Sequence, residues 1–424
     1  MIPKILLVNP PIYDFTAYDF WLKPFGMLSA AGKIRDFSQF FLFDFLDRTA
    51  LNNADSWGRG SFRSKIIEKP SQFAKIPRKY RRFGTERAAF QAFLAQNGPF
   101  DIVMIQTSMT YWYQGIREVI DDVRNALSDA TVVLGGTYAT LCPAHAAGLG
   151  ADIVICGSDL KQLYELVKAE KSPCQTPLWE AYGKLDVGIM KLSCGCPYSC
   201  TYCAGGLIDG EFAHRQLSDC IADLHFLIKK NVKNIAFYDD ALLFKPEKVL
   251  FPFLEYVISN DIKVNFHTPN AFHARFVTAE TAKIMVRAGF KTFYLGFESK
   301  SAAFQAATGS KVVSDDLAIA AENLLACGAE KNNIVTYQIL GHPHCDLQEL
   351  EESMRFAGSL GLSVMLADFS PIPSTPDGEF CRKFVDLDEP LNHNKTAFPV
   401  TLLGTEKVNY FKALCKKINA NVRN

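Results

Sequence analysis

The stretch that decides the reading is Lys191-Leu-Ser-Cys194-Gly-Cys196-Pro-Tyr-Ser-Cys200-Thr-Tyr-Cys203-Ala-Gly-Gly206, where a strand-like run from Val187 to Ser193 passes into a cysteine-rich loop. Cys196, Cys200 and Cys203 are spaced Cys-x-x-x-Cys-x-x-Cys. A compact loop of this kind can turn three thiolates inward to three irons of a cubane, and thiolates are the usual protein ligands of such clusters. The fourth iron then has no protein ligand and is open to a chelating reagent. The competing reading is a tetrahedral zinc knuckle, which uses two Cys-x-x-Cys pairs or a Cys pair with a distant His pair. No second pair is present, and Cys194, with one residue between it and Cys196, fits a cubane corner poorly.

Downstream of this loop, strand candidates recur at Asn234 to Tyr238, Lys263 to His267, Thr292 to Phe297, Ile334 to Leu340 and Val364 to Phe369. Helical spacing separates them, as in Leu217, Ile221, Leu224 and Ile228, or Leu347, Leu350, Met354 and Ala357. With Val187 to Ser193 this makes six similar β/α units, which predicts a partial (β/α)6 barrel with its chemistry at the strand ends. Upstream, β-rich runs at Lys4 to Val8, Gln39 to Phe43, Asp101 to Gln106, Thr131 to Leu134 and Asp152 to Cys156 alternate with helical segments such as Gly115 to Leu127. That alternation predicts a doubly wound, Rossmann-like parallel sheet. The expected α/β organisation is therefore a first domain over 1–170, a linker over 171–186, the barrel over 187–379 and an extension over 380–424 that caps the barrel or covers the site.

The chain's 424 residues are enough for two cores. Forty-five basic residues balance forty-five acidic ones, which argues against nucleic acid or an anionic membrane as a partner of the whole molecule. No run approaches the length of a membrane span, and a cytoplasmic address is expected. Four of the twelve cysteines crowd into Cys194 to Cys203, which points to metal, whereas most of the dispersed eight (Cys142, Cys156, Cys174, Cys220, Cys327, Cys345, Cys381, Cys415) read as small buried hydrophobes and none is assigned a role. The stretch Arg59 to Arg82 holds nine basic residues against Glu68 alone, and reads as a solvated insertion or as a site for an anionic ligand.

The loop Gly195-Cys196-Pro-Tyr-Ser-Cys200-Thr-Tyr-Cys203 resembles the signature of the radical S-adenosylmethionine (SAM) superfamily. The resemblance implies a [4Fe-4S] cluster on Cys196, Cys200 and Cys203, and reductive cleavage of SAM to a 5′-deoxyadenosyl radical that abstracts hydrogen from substrate. An electron donor such as flavodoxin or ferredoxin would supply the electron. It also implies SAM contacts from Tyr202, Ala204 and Gly205 of the loop, and from Asp239 and Asp240 at the end of the second barrel strand. Asp-Asp at a strand end could equally cap a following helix. Glu298 in Tyr294-Leu-Gly-Phe-Glu-Ser299 resembles the family's Gly-x-Glu-Ser segment, and Asn270 and Arg275 follow the third strand, where the Arg fork suits a carboxylate. Gly341, in Tyr337-Gln-Ile-Leu-Gly-His-Pro343, resembles the position whose backbone lies along the adenine. His342, His344 and Cys345 read as loop residues or proton carriers rather than a second metal site.

The open sheet ahead of such a barrel resembles the cobalamin-binding domain of cobalamin-dependent radical SAM proteins. The matching segments are Leu7-Val-Asn-Pro-Pro11, Thr107-Ser-Met-Thr-Tyr-Trp112, Leu134-Gly-Gly-Thr-Tyr-Ala-Thr140 and Ile155-Cys-Gly157. The resemblance implies ring contacts from Pro10, Pro11, Thr107, Ser108, Met109, Thr110, Gly135, Gly136, Tyr138 and Gly157. No Asp-x-His-x-x-Gly motif follows the first strand, so cobalamin is expected without a protein histidine on cobalt, a domain that kept the fold without the cofactor being the alternative. A methyltransferase acting on a small molecule is the expected activity. A radical rearrangement or ring contraction without methyl transfer, and an RNA-modifying enzyme using the basic stretch, are its alternatives.

Overall fold

The structure, a computed structural model, describes residues 2–169, 176–309 and 314–423. Residues 171–175 of the expected linker, with Cys174, lie outside the described residues. The first five strands are β1 (Lys4–Asn9), β2 (Gln39–Asp44), β3 (Ile102–Thr107), β4 (Thr131–Gly136) and β5 (Ile153–Ile155). They form one parallel sheet in the order β5-β4-β3-β1-β2. Ile5 to Val8 and Ile102 to Ile105 are buried, as strands covered by helices on both faces must be. On one face lies helix Tyr113–Ala126, whose Ile116, Val119, Ile120 and Val123 are buried at the spacing read from sequence. The strand order reverses between β1 and β3, so this sheet offers its ligand crevice at the carboxyl ends of those two strands.

The basic stretch is ordered, with Arg63, Lys65, Lys75 and Lys79 exposed to solvent and Arg82 buried. It folds into two small antiparallel sheets, one pairing Ile12–Asp14 and Ser64–Ile66 with Arg81–Phe83, the other pairing Tyr18–Asp19 and Leu51–Ala54 with Gly60–Phe62. Arg82 is buried and forms a two-pronged ion pair with Glu118 at 2.7 and 2.9 Å. Arg59 is gripped by Asp55 and by the Tyr294 hydroxyl at 2.8 Å each, and lies over the Trp21 ring. Trp21 stacks on the buried His267 at 4.4 Å. Composition hid this because a paired, desolvated arginine and a solvated one look alike in sequence.

The second series comprises β6 (Val187–Met190), β7 (Asn234–Phe237), β8 (Asn265–His267), β9 (Phe293–Glu298), β10 (Ile334–Leu340) and β11 (Ser363–Asp368). All run parallel, but in two arcs: β6-β7-β8, and β9-β10-β11 with the two-residue strand Phe272–His273 at its edge. A single bridge from Phe266 to Phe290 spans the break. The extension packs helix Thr405–Arg423 against β11 and places the turn at His393 and Asn394 on the first unit. No helix among the described residues is long and apolar enough to cross a membrane.

Candidate active site

The loop after β6 opens with a small hairpin, Ser193–Cys194 against Ala213–His214, and ends in the short helix Gly205–Ile208. Cys194 is therefore held in the hairpin while the three expected ligands lie beyond it. A Cβ at Gly205 would sit 3.6 Å from Cys203 Sγ, 3.8 Å from Cys196 Cβ and 4.0 Å from Asp240 Oδ2, and one at Gly309 would sit 3.5 Å from Cys200 Sγ. Glycines thus leave space around the thiols, and the Gly205 N–H donates to Cys203 Sγ at 3.4 Å. Among the described residues no three His, Cys, Asp or Glu side chains gather as a single ion requires. Three thiols in one loop, with glycines against them, are the donor chemistry a cubane takes, so the donor set fits the cluster.

Asp239 and Asp240 part company. The Asp239 carboxylate is buried and accepts from Leu192 N (2.9 Å), Ser193 N (2.7 Å) and Ser193 Oγ (2.6 Å), fastening the end of β7 to the root of the cysteine loop. Burial raises its pKa to about 6 against the pull of those donors. The carboxylate thus anchors the loop, and among the described residues no helix starts directly after the pair for either residue to cap, since the next begins at Leu250. Asp240 faces the loop beside Gly205 and accepts from Asn270 Nδ2 at 3.3 Å, the same amide that bonds the Tyr238 carbonyl at 3.1 Å. Arg275 is exposed, its guanidinium 4.9 Å from the Phe276 ring centre and 5.9 Å from that of Tyr198 in the loop.

Glu298 closes β9 where the register with β10 slips between Gly296 and Glu298. Its φ of +56° is a left-handed conformation that a non-glycine residue adopts at a cost and that re-aims the side chain. The carboxylate is buried close to Tyr202, whose phenol is pushed up by burial first, then by Glu298 and Cys200. Ala204 is buried and begins the short helix. Gly341 has φ +86°, but a Cβ there would meet Pro399 Cβ at 2.7 Å. Its missing Cβ makes room for helix Ala397–Leu403, which brings the extension against the end of β10.

On the first unit, Pro10 and Pro11 follow β1, Thr107 ends β3 and Ser108 to Thr110 follow it, and Gly135 and Gly136 end β4, all on the crevice side of the sheet. Gly136 (φ +116°) could not carry a Cβ, which would lie 2.2 Å from the Thr107 carbonyl oxygen. Ser108 is half-buried, and Met109 and Gly157 are exposed. Three expected contacts are otherwise engaged. Thr107 Oγ1 accepts from Ala139 N at 3.1 Å, Thr110 Oγ1 bonds His393 Nδ1 at 2.9 Å, and the buried Tyr138 bonds His145 Nδ1 at 2.5 Å. The two units meet here: helix Thr137–Leu141 packs on helix Gly205–Ile208, and a Cβ at Gly157 would lie 3.8 Å from the Ile208 carbonyl.

Sequence reasoning missed a cluster of contacts to the loop from the far side of the barrel. Asp377, after β11, bonds Thr201 and the buried His342. It also missed the docking of His393 and Asn394 onto Thr110 and Asp14. Neither leaves a local signal beyond the turn residues Thr375-Pro-Asp-Gly378.

Residues 190–357 match the model of the radical SAM superfamily. A 62-residue stretch is 32% identical to the ribosomal protein uS12 methylthiotransferase RimO of Thermosipho melanesiensis, covering 14% of each chain. Among solved structures, the radical SAM methyltransferase TsrM of Kitasatospora setae, determined with tryptophan and a SAM analogue, superposes with a TM-score of 0.65 at 14% identity, over 90% of this chain and 76% of that one. The cobalamin-dependent SAM radical enzyme OxsB, with aqua-cobalamin and SAM bound, gives 0.58 at 14% identity over 98% and 61%. At such identity these likenesses speak for the fold. With the cysteine loop at the head of a partial barrel and the superfamily model over residues 190–357, that part of the chain is a radical SAM domain, behind a Rossmann-like sheet.

Proposed function

We propose that the chain is a cobalamin-dependent radical SAM methyltransferase acting on a small molecule. The observation that carries the reading is the meeting of the two rims: the helix that closes the cysteine loop packs on the helix that leaves β4, beside the exposed Gly157. When bound, a cluster on Cys196, Cys200 and Cys203 supplies the electron that cleaves SAM, and a corrinoid on the facing rim supplies a transferable methyl group. The chain's own part is to bind and orient. Gly205, Asp240, Asn270 and Glu298 surround the open side of the loop, with carboxylates that suit the ammonium and ribose hydroxyls of SAM, and Arg275 at its edge suits a carboxylate. Pro10, Pro11, Ser108, Met109, Gly135, Gly136 and Gly157 offer the small, apolar rim a flat ring needs.

Within the basic stretch Arg59 and Arg82 are committed to carboxylates and neither is free for an RNA phosphate, whereas Arg63, Lys65, Lys75 and Lys79 are exposed. The test is anaerobic reconstitution with iron, sulfide and hydroxocobalamin, followed by metal analysis and dithionite reduction with SAM. Iron, cobalt and deoxyadenosine are expected, the last abolished by Cys200→Ala, and methylcobalamin turnover would distinguish methyl transfer from rearrangement. Iron without cobalt removes the cobalamin half of the proposal, and no iron removes all of it.

A further inference from the structure

The segment after β11 reaches back to the cysteine loop. Thr375 caps the short helix Pro376–Phe380, its hydroxyl accepting from Gly378 N at 3.1 Å, and a Cβ at Gly378 would lie 1.7 Å from the Ile372 carbonyl oxygen. That turn places Asp377 against Thr201. The Asp377 N–H donates to the Thr201 carbonyl at 3.1 Å, and Thr201 Oγ1 donates to Asp377 Oδ2 at 2.5 Å. His342 Nε2 lies 2.9 Å from the same oxygen. His342 Nδ1 accepts from the His344 N–H at 3.2 Å, which leaves the proton on Nε2 to donate to Asp377. The His342 ring is buried edge-on to Phe304 at 4.9 Å and Phe369 at 4.8 Å, so it cannot swing away. His344 Nε2 stands 3.9 Å from the other carboxylate oxygen.

Thr201 sits between Cys200 and Cys203, and two hydrogen bonds to one residue fix the short segment that carries both thiols. On the reading that this loop holds a cluster, we propose that Asp377 is a positioning residue for it: it grips the Cys200–Cys203 segment through Thr201 and sets a negative charge against the residue next to Cys200. The charge has a definite effect, since reduction adds an electron to the centre and a neighbouring anion opposes it. Asp377 therefore makes the reduced cluster a stronger reductant, which suits cleavage of a sulfonium.

The test uses the full-length, anaerobically reconstituted chain and reads iron content, the electron paramagnetic resonance of the reduced cluster and its midpoint potential. Asp377→Asn keeps the size and an acceptor for Thr201 but removes the charge; the midpoint is expected to move to a more positive potential. Thr201→Val keeps the charge and cuts the side-chain tether; a broadened resonance and loss of iron on gel filtration are expected, both restored in Thr201→Ser. An unchanged potential in Asp377→Asn, or a Thr201→Ser protein that behaves like Thr201→Val, overturns the proposal. If Asp377→Asn does not fold, the threonine pair decides alone. Wild-type protein that takes up no iron sinks the cluster reading itself, an outcome distinct from wild type and variants that bind iron alike.

Discussion

Asp239 and Asp240 share a peptide bond and nothing else. Asp239 is 3% exposed and saturated by the backbone at Leu192 and Ser193, so Asp239→Ala strands those buried N–H groups. A stability loss of about 2–4 kcal/mol is expected in urea unfolding. Asp240→Ala should leave the unfolding midpoint in place and weaken SAM binding, read by calorimetry on the reconstituted protein. His267 supplies a pH signature. Burial first, and Arg59 second, hold its imidazole down from 6.5 to about 3. The unfolded chain takes up a proton below 6.5 that the folded chain refuses until about 3, so this contribution is full above 6.5 and is lost as pH falls through that window. Denaturant midpoints of wild type and His267→Gln should diverge in slope there, by up to about 1.4 kcal/mol per pH unit. Neither Asp239's inward turn nor the pairing of His267 with Trp21 was legible in sequence. Both depend on which partner lies across a strand or across units, a fact carried by the fold and not by spacing.

At the scale of elements, sequence served best where a pattern is local. All eleven strands of the two parallel series fall within a few residues of their expected places, because a continuous apolar run bounded by turn residues has few other uses. The cysteine loop was legible for the same reason: its spacing lies within eight residues, from Cys196 to Cys203. The bond from Thr201 to Asp377 spans 176 residues and leaves no such trace. Gly341 shows how a strand end legible in sequence gains a neighbour that is not. It lies where β10 ends, yet the group against it is Pro399. Gly341→Ala should therefore act on helix Ala397–Leu403, costing about 1–3 kcal/mol by overpacking and by its positive φ. Faster limited proteolysis of the extension, with cluster absorbance retained, is the expected readout.

At the scale of the molecule, the extension acts as a clasp between the two units. Asn394 Nδ2 donates to Asp14 Oδ1 at 2.9 Å, Trp112 Nε1 donates to Oδ2 at 2.9 Å, and His393 bonds Thr110 in the same loop after β3. Asn394→Ala removes one donor from a fully buried carboxyl and should cost about 1–3 kcal/mol. It should also loosen the Thr110 loop, seen as faster amide hydrogen exchange over Met109 to Trp112. The clasp also orders events in time. Asp14 is made 380 residues before Asn394. On the ribosome its carboxyl faces water and is ionised, and only the arrival of Asn394 seals it into a place where burial raises its pKa. The rim after β3 thus takes its last two partners, His393 and Asn394, from a segment made after both units.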